Sequence, residues 1–394
     1  MRSHALRFVI PVLLACIGCA DRRLETVTGT LNPGEPIAGL DPDERGRFDE
    51  GVLLFSRVFE ARDGLGPFFN ENQCSACHTD PASGGTGEQF AVRATHFEPP
   101  ASCNLFEEAS GENLQTRTVP ALQERGIHRR EAPPGASAQD RFSVPFLFGL
   151  GLTEAVPEAA ILERADPEDR DRDGISGRPG RESGQLARFG RKAERTTIEG
   201  FIASALLFEM GLTSALRPDE LLLDDTPWAE EVDPAGDPEI DDRSLQLLAD
   251  FVRFLAPLAQ RIPDDAGTRA EIAEGERLFA EAGCVSCHTP VLETGAHQSR
   301  ALAHKRFRIY SDLLLHDMGP GLAGACGPVA TPTEIRTEPL AGLGFRSSYL
   351  HDGRALGLTD AIRMHGGEAE RARAAFDALD EVQQARLLRF LQSL

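Results

Sequence analysis

Two stretches of the chain place apolar residues on one face of a helix, and they share a sequence pattern. Residues 249–258 and 385–394 both read A-x-x-x-R-F-L-x-x-L. Their apolar positions recur at the three- and four-residue spacings of a helix face. These positions are Leu248, Val252, Leu255 and Ala259 in the first stretch and Leu387, Phe390, Leu391 and Leu394 in the second. Each stretch is therefore predicted to form a helix with one buried face.

A second repeat precedes these helices. Residues 51–55 and 275–279 both read G-x-x-L-F and open further predicted helices. Between the two helices of each half, residues 74–78 and 284–288 both read C-x-x-C-H, the pattern of covalent c-type haem attachment. Each half thus begins with a helix, carries this motif and ends with a helix, which is the element order of a cytochrome c domain.

The spacing within the motif has a chemical reason. Cysteines three residues apart lie on one face of a helical turn, so both sulfurs can reach one porphyrin edge, and the next histidine can bind the iron. We expect thioethers at Cys74, Cys77, Cys284 and Cys287, and iron ligands at His78 and His288. Zinc or a redox-active dithiol is the alternative, but neither needs histidine directly after both cysteine pairs.

These repeats predict a mainly α fold with two cytochrome c-like haem domains, residues 41–262 and 268–394. The stretch 263–267, which contains proline and glycine, is interpreted as the linker. The first domain is enlarged by a long insertion between His78 and Trp228. Within it, an apolar run predicts a buried helix over residues 198–210.

The first residues resemble a signal peptide. Arg2 and Arg7 precede a short apolar run, and small residues surround two cysteines before a charged stretch begins. Residues 1–19 are predicted to be a signal peptide of the lipoprotein type, with Cys16 or Cys19 lipidated; an uncleaved anchor or plain secretion is the alternative. The mature protein is then expected to face the periplasm and to meet the membrane only through its lipid anchor.

The net charge and the two remaining cysteines give information about binding partners and about disulfide bonding. The 394-residue chain has a net charge of −21, which argues against nucleic acid as a partner. Acidic residues concentrate in residues 219–242, either as a solvated loop or as a docking patch for a basic redox protein. Cys103 and Cys326 belong to neither motif, and a disulfide and two unrelated buried thiols both remain open.

With these segments in place, the chain resembles the bacterial di-haem oxidoreductases that are related to the di-haem cytochrome c peroxidases. Five segments carry the resemblance: residues 59–67, 173–178, 310–319, 350–355 and 365–369. The resemblance implies an enzyme with two covalently bound haem c groups, a small oxidant such as peroxide as substrate, and a small redox protein, such as a basic cytochrome, as electron donor. It also implies that His316, Asp317, His351 and Arg354 surround haem.

The resemblance suggests further iron ligands. His365 stands where such peroxidases take the sixth ligand of the electron-transferring haem, with Met364 beside it as the alternative. For the first haem, His96 lies near the spacing of a displaceable histidine, and His128 competes with it.

Glu209 is the candidate catalytic acid–base residue, because Glu209-Met210 is similar to the Glu-Met pair of these enzymes. A buried carboxyl group can move a proton between the two peroxide oxygens. The tryptophan that the relatives carry upstream is replaced here by Arg188 and Phe189. A capping or surface role for Glu209 is the alternative.

A calcium site is suggested by Asp169, Asp171 and Asp173, which have the D-x-D-x-D-G spacing of a calcium loop. Position twelve of that loop is Gly180, so Glu182 would have to complete it; otherwise the loop is a solvated turn.

These features predict that the second haem passes electrons to the first, where hydrogen peroxide is reduced. A two-haem electron carrier without catalysis is one alternative. The other is a di-haem oxidase that acts on a partner protein, as in the methylamine-utilisation relatives.

Overall fold

A computed structural model of the chain describes residues 24–100, 102–106, 113–220 and 229–394. The predicted signal peptide, residues 1–19, lies outside the described residues, and so do both candidate lipidation sites. In the described part of the chain, no helix combines the length and the apolar character needed to cross a membrane.

Four long helices form two packed pairs. Pro42–Phe55 packs on Asp242–Phe254 (the first helix pair), and Ala266–Glu281 packs on Glu381–Ser393 (the second helix pair). Each helix begins after an aspartate whose carboxylate accepts backbone N–H groups of the first turn, which is a favoured N-cap arrangement. These aspartates are Asp41, Asp241, Asp265 and Asp380.

The glycine of each G-x-x-L-F repeat lies where the two helices of a pair touch. A Cβ atom on Gly51 would come within 2.3 Å of the Leu247 carbonyl oxygen, and one on Gly275 within 2.1 Å of the Arg386 carbonyl oxygen. Only a residue without a side chain allows so close an approach. The sequence repeat thus encodes the same helix contact twice.

The two repeated C-terminal helices end differently. Asp242–Phe254 stops before Leu255, whereas Glu381–Ser393 continues to the end of its repeat. Pro257 in the first repeat occupies the place of Ser393 in the second. Proline disfavours helical geometry in the preceding residue and cannot donate a backbone hydrogen bond, so the first helix ends early.

The remaining elements are short. Further helices are Cys74–Cys77, Pro120–Gln123, Leu150–Glu154, Glu158–Leu162, Ile198–Ala205, Ala229–Val232, Leu358–Met364 and Glu370–Asp377. The helix Ile198–Ala205 continues as a π-helix over Leu206–Met210. Single 3₁₀ turns are Ala61–Asp63, Cys284–Ser286, Pro320–Leu322, Leu343–Phe345 and Gly367–Ala369. The helix predicted over residues 198–210 is confirmed.

Strands are more frequent than the sequence analysis expected. They are Glu25–Val27, Phe68–Phe69, Phe90–Glu98, Ser102–Asn104, Arg117–Thr118, Ala138–Ser143, Gly180–Glu182, Gln185–Ala187, Val291–Glu293, Lys305–Arg308, Leu315–Asp317 and Glu334–Arg336. Helix accounts for 34% and strand for 17% of the structure, so the expectation of a mainly α chain holds only in part. The reason is that much of the insertion after His78 pairs as strands, whose short length gave little periodic signal.

Two apolar cores accompany the helix pairs. The larger core surrounds the first helix pair and also takes in side chains from Leu292 to Leu314, beyond the predicted linker. The smaller core surrounds the second helix pair. A disulfide joins Cys103 to Cys326, with Cα atoms 5.9 Å apart and a sequence separation of 223. The chain after the linker is therefore tied to the insertion of the first half.

Candidate functional site

The first C-x-x-C-H motif forms one helical turn, Cys74–Cys77, followed by His78. The Nδ1–H of His78 donates to the Gly85 carbonyl oxygen at 2.8 Å, which leaves Nε2 as the nitrogen for a metal. Burial lowers the pKa of His78 to about 4, so the imidazole is neutral, as an iron ligand must be. A Cβ on Gly85 would lie 2.0 Å from the Asp80 carbonyl oxygen, so the loop that holds His78 requires glycine there.

The second motif repeats this arrangement. The Nδ1–H of His288 donates to the Tyr310 carbonyl oxygen at 3.0 Å, and burial lowers the pKa of His288 to about 4. The phenylalanine of each G-x-x-L-F repeat packs beside the corresponding imidazole. Ring centroids are 5.9 Å apart for Phe55 and His78 and 6.3 Å apart for Phe279 and His288. The repeated helices therefore position both histidines in the same way.

The four motif cysteines carry free, half-buried thiols. Burial raises the pKa values of Cys74, Cys77 and Cys284 to about 12, so these groups are neutral thiols. Two free thiols and the histidine that follows them fit the attachment of a porphyrin edge through thioethers.

Each motif opens on its own cavity. The first cavity, about 430 Å³, contains Cys77, His78 and Glu209 in its wall. The second cavity, about 510 Å³, contains Cys284, Cys287 and His288. Both volumes lie in the range of cofactor pockets. Free thiols, neutral imidazoles and a cavity of this size together fit haem c in both places.

The predicted sixth ligand of the second site lies in the same cavity as His288. His365 is half-buried, lines the second cavity and donates from Nδ1 to the Ala361 carbonyl oxygen at 2.7 Å. Burial lowers its pKa. Met364 is 40% exposed and does not line the cavity, so the structure brings His365 to His288 and leaves Met364 outside.

The candidates for the first site's sixth ligand lie elsewhere. His96 is exposed on the strand Phe90–Glu98, with Nδ1 3.1 Å from the Ser137 hydroxyl oxygen. His128 is exposed as well, and neither residue lines the first cavity. The structure does not bring His96 or His128 to His78, because both point outward from the insertion.

Glu209 is fixed by two amides. It lies in the π-helix Leu206–Met210; its Oε2 accepts from Asn70 and its Oε1 from Asn113, both at 2.6 Å. Burial raises the pKa of Glu209, and the two amide donors act against that rise. The sequence analysis missed both asparagines. They are 139 and 96 residues away along the chain, and no local signal links them to Glu209.

Three arginines and one glutamate line both cavities. Glu338 binds Arg191, Arg336 and Arg346 through its two carboxylate oxygens. Burial would raise the pKa of Glu338, but the three guanidinium charges lower it to about 2. This group also escaped the sequence analysis, because its members come from separate segments.

Two of the four residues expected around haem line the second cavity, namely His316 and His351. His316 bridges Asp312 and Glu368, with nitrogen to oxygen distances of 2.8 and 2.6 Å. Asp317 and Arg354 do not line the cavity.

The predicted calcium loop is formed only in part. The ligand oxygens of Asp169, Asp171 and Asp173 lie within 4.8 Å of one another. Glu182, which would have to complete the site, instead accepts from the Thr196 backbone N–H at 2.8 Å. Calcium at the three aspartates stays a prediction.

The chain is similar to one known protein family and to several solved structures. The family model "Di-haem oxidoreductase, putative peroxidase" matches residues 136–394. A search of curated proteins gave no match. Similar solved structures include the diheme peroxidase BthA from Burkholderia thailandensis, at 14% identity over 94% of this chain and 92% of that one, with a TM-score of 0.41. Two further structures have TM-scores of 0.38. One is a MauG-like protein associated with microbial copper homeostasis, at 14% identity over 99% of this chain and 95% of that one. The other is the Kuenenia stuttgartiensis hydrazine synthase, at 13% identity over 99% of this chain and 100% of that one.

These identities and TM-scores are too low to support an argument about fold or function. The family match is different in kind, since it covers more than half of the chain and includes the second motif and Glu209. The chain belongs to the di-haem oxidoreductase family, and it is an enzyme of that family that binds two haem groups.

Proposed function

We propose that this oxidoreductase reduces hydrogen peroxide in the first cavity, with electrons that arrive from the second. The observation that carries the proposal is the position of Glu209, whose carboxyl group lies in the wall of the cavity that contains Cys77 and His78. Cleavage of a peroxide O–O bond needs a proton-transfer group beside the oxidant. An electron carrier has no use for one.

The two motifs would hold haem c covalently, through thioethers at their four cysteines, with His78 and His288 as iron ligands. Haem bound in this way supplies an iron centre that accepts electrons and can react with a small oxidant. His288 and His365 both line the second cavity and would both hold the iron there. Among the described residues that line the first cavity, His78 is the only histidine, so a single histidine would hold that iron.

Glu209 would carry the proton during reduction. Hydrogen peroxide takes up two electrons and two protons to give two molecules of water. The ionised carboxylate accepts a proton from one peroxide oxygen and returns it to the other as the O–O bond breaks, and the two further protons come from solvent. Burial raises the pKa of Glu209, and the amides of Asn70 and Asn113 act against that rise.

The electrons would come from a small redox protein, with a basic cytochrome as the candidate that suits the charge of this chain. A net charge of −21 attracts cationic partners and speeds their encounter. The acidic segment 219–242 is the proposed docking region for this partner. Residues 221–228 of the segment lie outside the described part of the chain.

We place the protein on the periplasmic side of a bacterial membrane, held there by lipid on Cys16 or Cys19. The disulfide between Cys103 and Cys326 supports this proposal, because such bonds persist in oxidising compartments and are rare in the cytosol. Contact with the membrane would be limited to the lipid anchor.

The test is peroxide turnover by purified, haem-loaded protein with a reduced donor. The variant Glu209→Gln should lower the rate by about 10²–10⁴-fold, the range of general acid–base catalysis, with haem content unchanged. Glu88→Gln is the matched control, since Glu88 is exposed and lines neither cavity; it should react like the parent.

Electron paramagnetic resonance separates the alternatives. A high-spin ferric signal that peroxide consumes would support the proposal. Two low-spin haems without turnover would establish an electron carrier instead. Peroxide-dependent oxidation of a partner protein, with no consumption of the added donor, would establish a protein oxidase.

A further inference from the structure

A layer of charged side chains separates the two cavities. Arg191, Arg336, Arg346 and Glu338 each line both of them, and we call these four residues the shared wall. They come from three places: the turn after Gly190, the end of the strand Glu334–Arg336 with the residues that follow it, and the residue after the turn Leu343–Phe345.

Glu338 is the centre of the shared wall. Its Oε2 accepts from Arg191 at 2.6 Å and from Arg336 at 3.1 Å, and its Oε1 accepts from Arg346 at 3.1 Å. The three arginine side chains are only 9% exposed. One carboxylate therefore faces three enclosed guanidinium groups.

The shared wall has two positive charges in excess. The other hydrogen bonds of Arg336 go to the backbone carbonyls of Gly190 and Thr337, and those of Arg191 go to Ser143, so none of them supplies negative charge. Enclosed charges without counter-charges are costly, because they have lost their hydration.

The neighbouring acids have cationic partners of their own. Glu194 is paired with Arg93 at 2.7 Å, and Asp312 is hydrogen-bonded to His316 at 2.8 Å. Besides this, Nε of Arg191 is buried and has no hydrogen-bond partner in the described part of the chain. An unpartnered donor in a cationic layer is a feature of a site that binds an anion.

We propose that the shared wall binds carboxylate groups of the prosthetic groups in both cavities, that is, the propionates of the two haems, and that it thereby raises the reduction potentials of both. Guanidinium groups bind carboxylates through paired, charge-assisted hydrogen bonds. A positive charge near iron also favours the reduced state, which carries one positive charge less. The inference depends on the proposed presence of haem in both cavities.

Reduction potentials of the purified, haem-loaded protein test this proposal, measured for both haems by spectroelectrochemical titration. Arg346→Gln removes one positive charge and should lower both potentials, with about a tenfold change in the ratio of reduced to oxidised haem, or about 59 mV for a one-electron couple. Arg346→Lys keeps the charge and should restore most of the change. Glu338→Gln removes the negative charge and should raise both potentials.

The opposite signs distinguish charge from packing. If the variants only loosened the shared wall, Arg346→Gln and Glu338→Gln would shift the potentials in the same direction. That result would overturn the proposal. Unchanged potentials, or a shift of one haem alone, would overturn it as well. Arg178→Gln is the matched control, because Arg178 pairs with Glu334 but lines neither cavity; it should leave both potentials unchanged.

Covalent haem content, from the pyridine haemochrome spectrum of the parent protein, is measured first. Its absence would overturn the proposed function. Two haems per chain with potentials that do not respond to the variants would overturn the shared-wall proposal alone.

Discussion

Two glycines in one helix should respond in opposite ways to the same substitution. Gly46 and Gly51 both lie in the helix Pro42–Phe55. A Cβ at Gly46 meets no atom within 4 Å, whereas one at Gly51 would lie 2.3 Å from the Leu247 carbonyl oxygen and 2.8 Å from Cβ of Phe251. Backbone cannot yield as a flexible side chain can, so the helices of the first pair would have to move apart.

The magnitudes follow from these two environments. Gly46→Ala gains helix propensity and should stabilise the protein by about 0.5–1 kcal/mol. Gly51→Ala gains the same propensity but overpacks the helix contact, which costs about 1–3 kcal/mol or more. Because both variants gain the same propensity, they should differ by the cost of overpacking, about 1–3 kcal/mol.

The assay is urea unfolding of both variants and the parent protein, followed by circular dichroism and by the haem absorbance. Gly51→Ala should also perturb the first haem spectrum, because Phe55 of the same helix packs beside His78. Equal midpoints for the two alanine variants would refute the argument that close helix contact explains the repeated glycine.

Three further outcomes are expected. Asn113→Leu removes one amide donor from Glu209, so the pKa of Glu209 should rise and the acid limb of the pH–rate profile should move to higher pH; an unmoved limb would contradict the assigned proton role. Cys326→Ser removes the disulfide, whose partners are 223 positions apart, and should lower the free energy of unfolding by about 2–5 kcal/mol. Adding reductant should lower the stability of the parent protein by the same amount and should not lower that of the variant any further. His365→Ala should convert the second haem from low-spin to high-spin in the electron paramagnetic resonance spectrum, whereas Met364→Ala should leave it unchanged; the reverse result would assign the sixth ligand to methionine.

The sequence alone was sufficient to predict those features that depend on residues close together in the chain. The spacing of Cys74, Cys77 and His78 within one turn, and its repeat at residues 284–288, predicted where both cavities lie. The G-x-x-L-F and A-x-x-x-R-F-L-x-x-L repeats predicted the four long helices, because helical periodicity is a property of a single segment.

Prediction was weaker where short strands or distant residues decide the structure. The strand Phe90–Glu98 pairs with Ala138–Ser143 across the insertion, and this pairing carries His96 to the surface. Strand register and side-chain direction depend on the partner strand, so the spacing from His78 to His96 could not reveal them.

The sequence by itself thus determined the two C-x-x-C-H motifs and the helices that flank them. Only the tertiary structure decided that Asn70 and Asn113 bind Glu209, that Cys103 pairs with Cys326, and that three arginines converge on Glu338 between the cavities. The physical reason is that periodicity and motif spacing act within one turn of chain, whereas hydrogen bonds and ion pairs between distant segments exist only after the cores have packed.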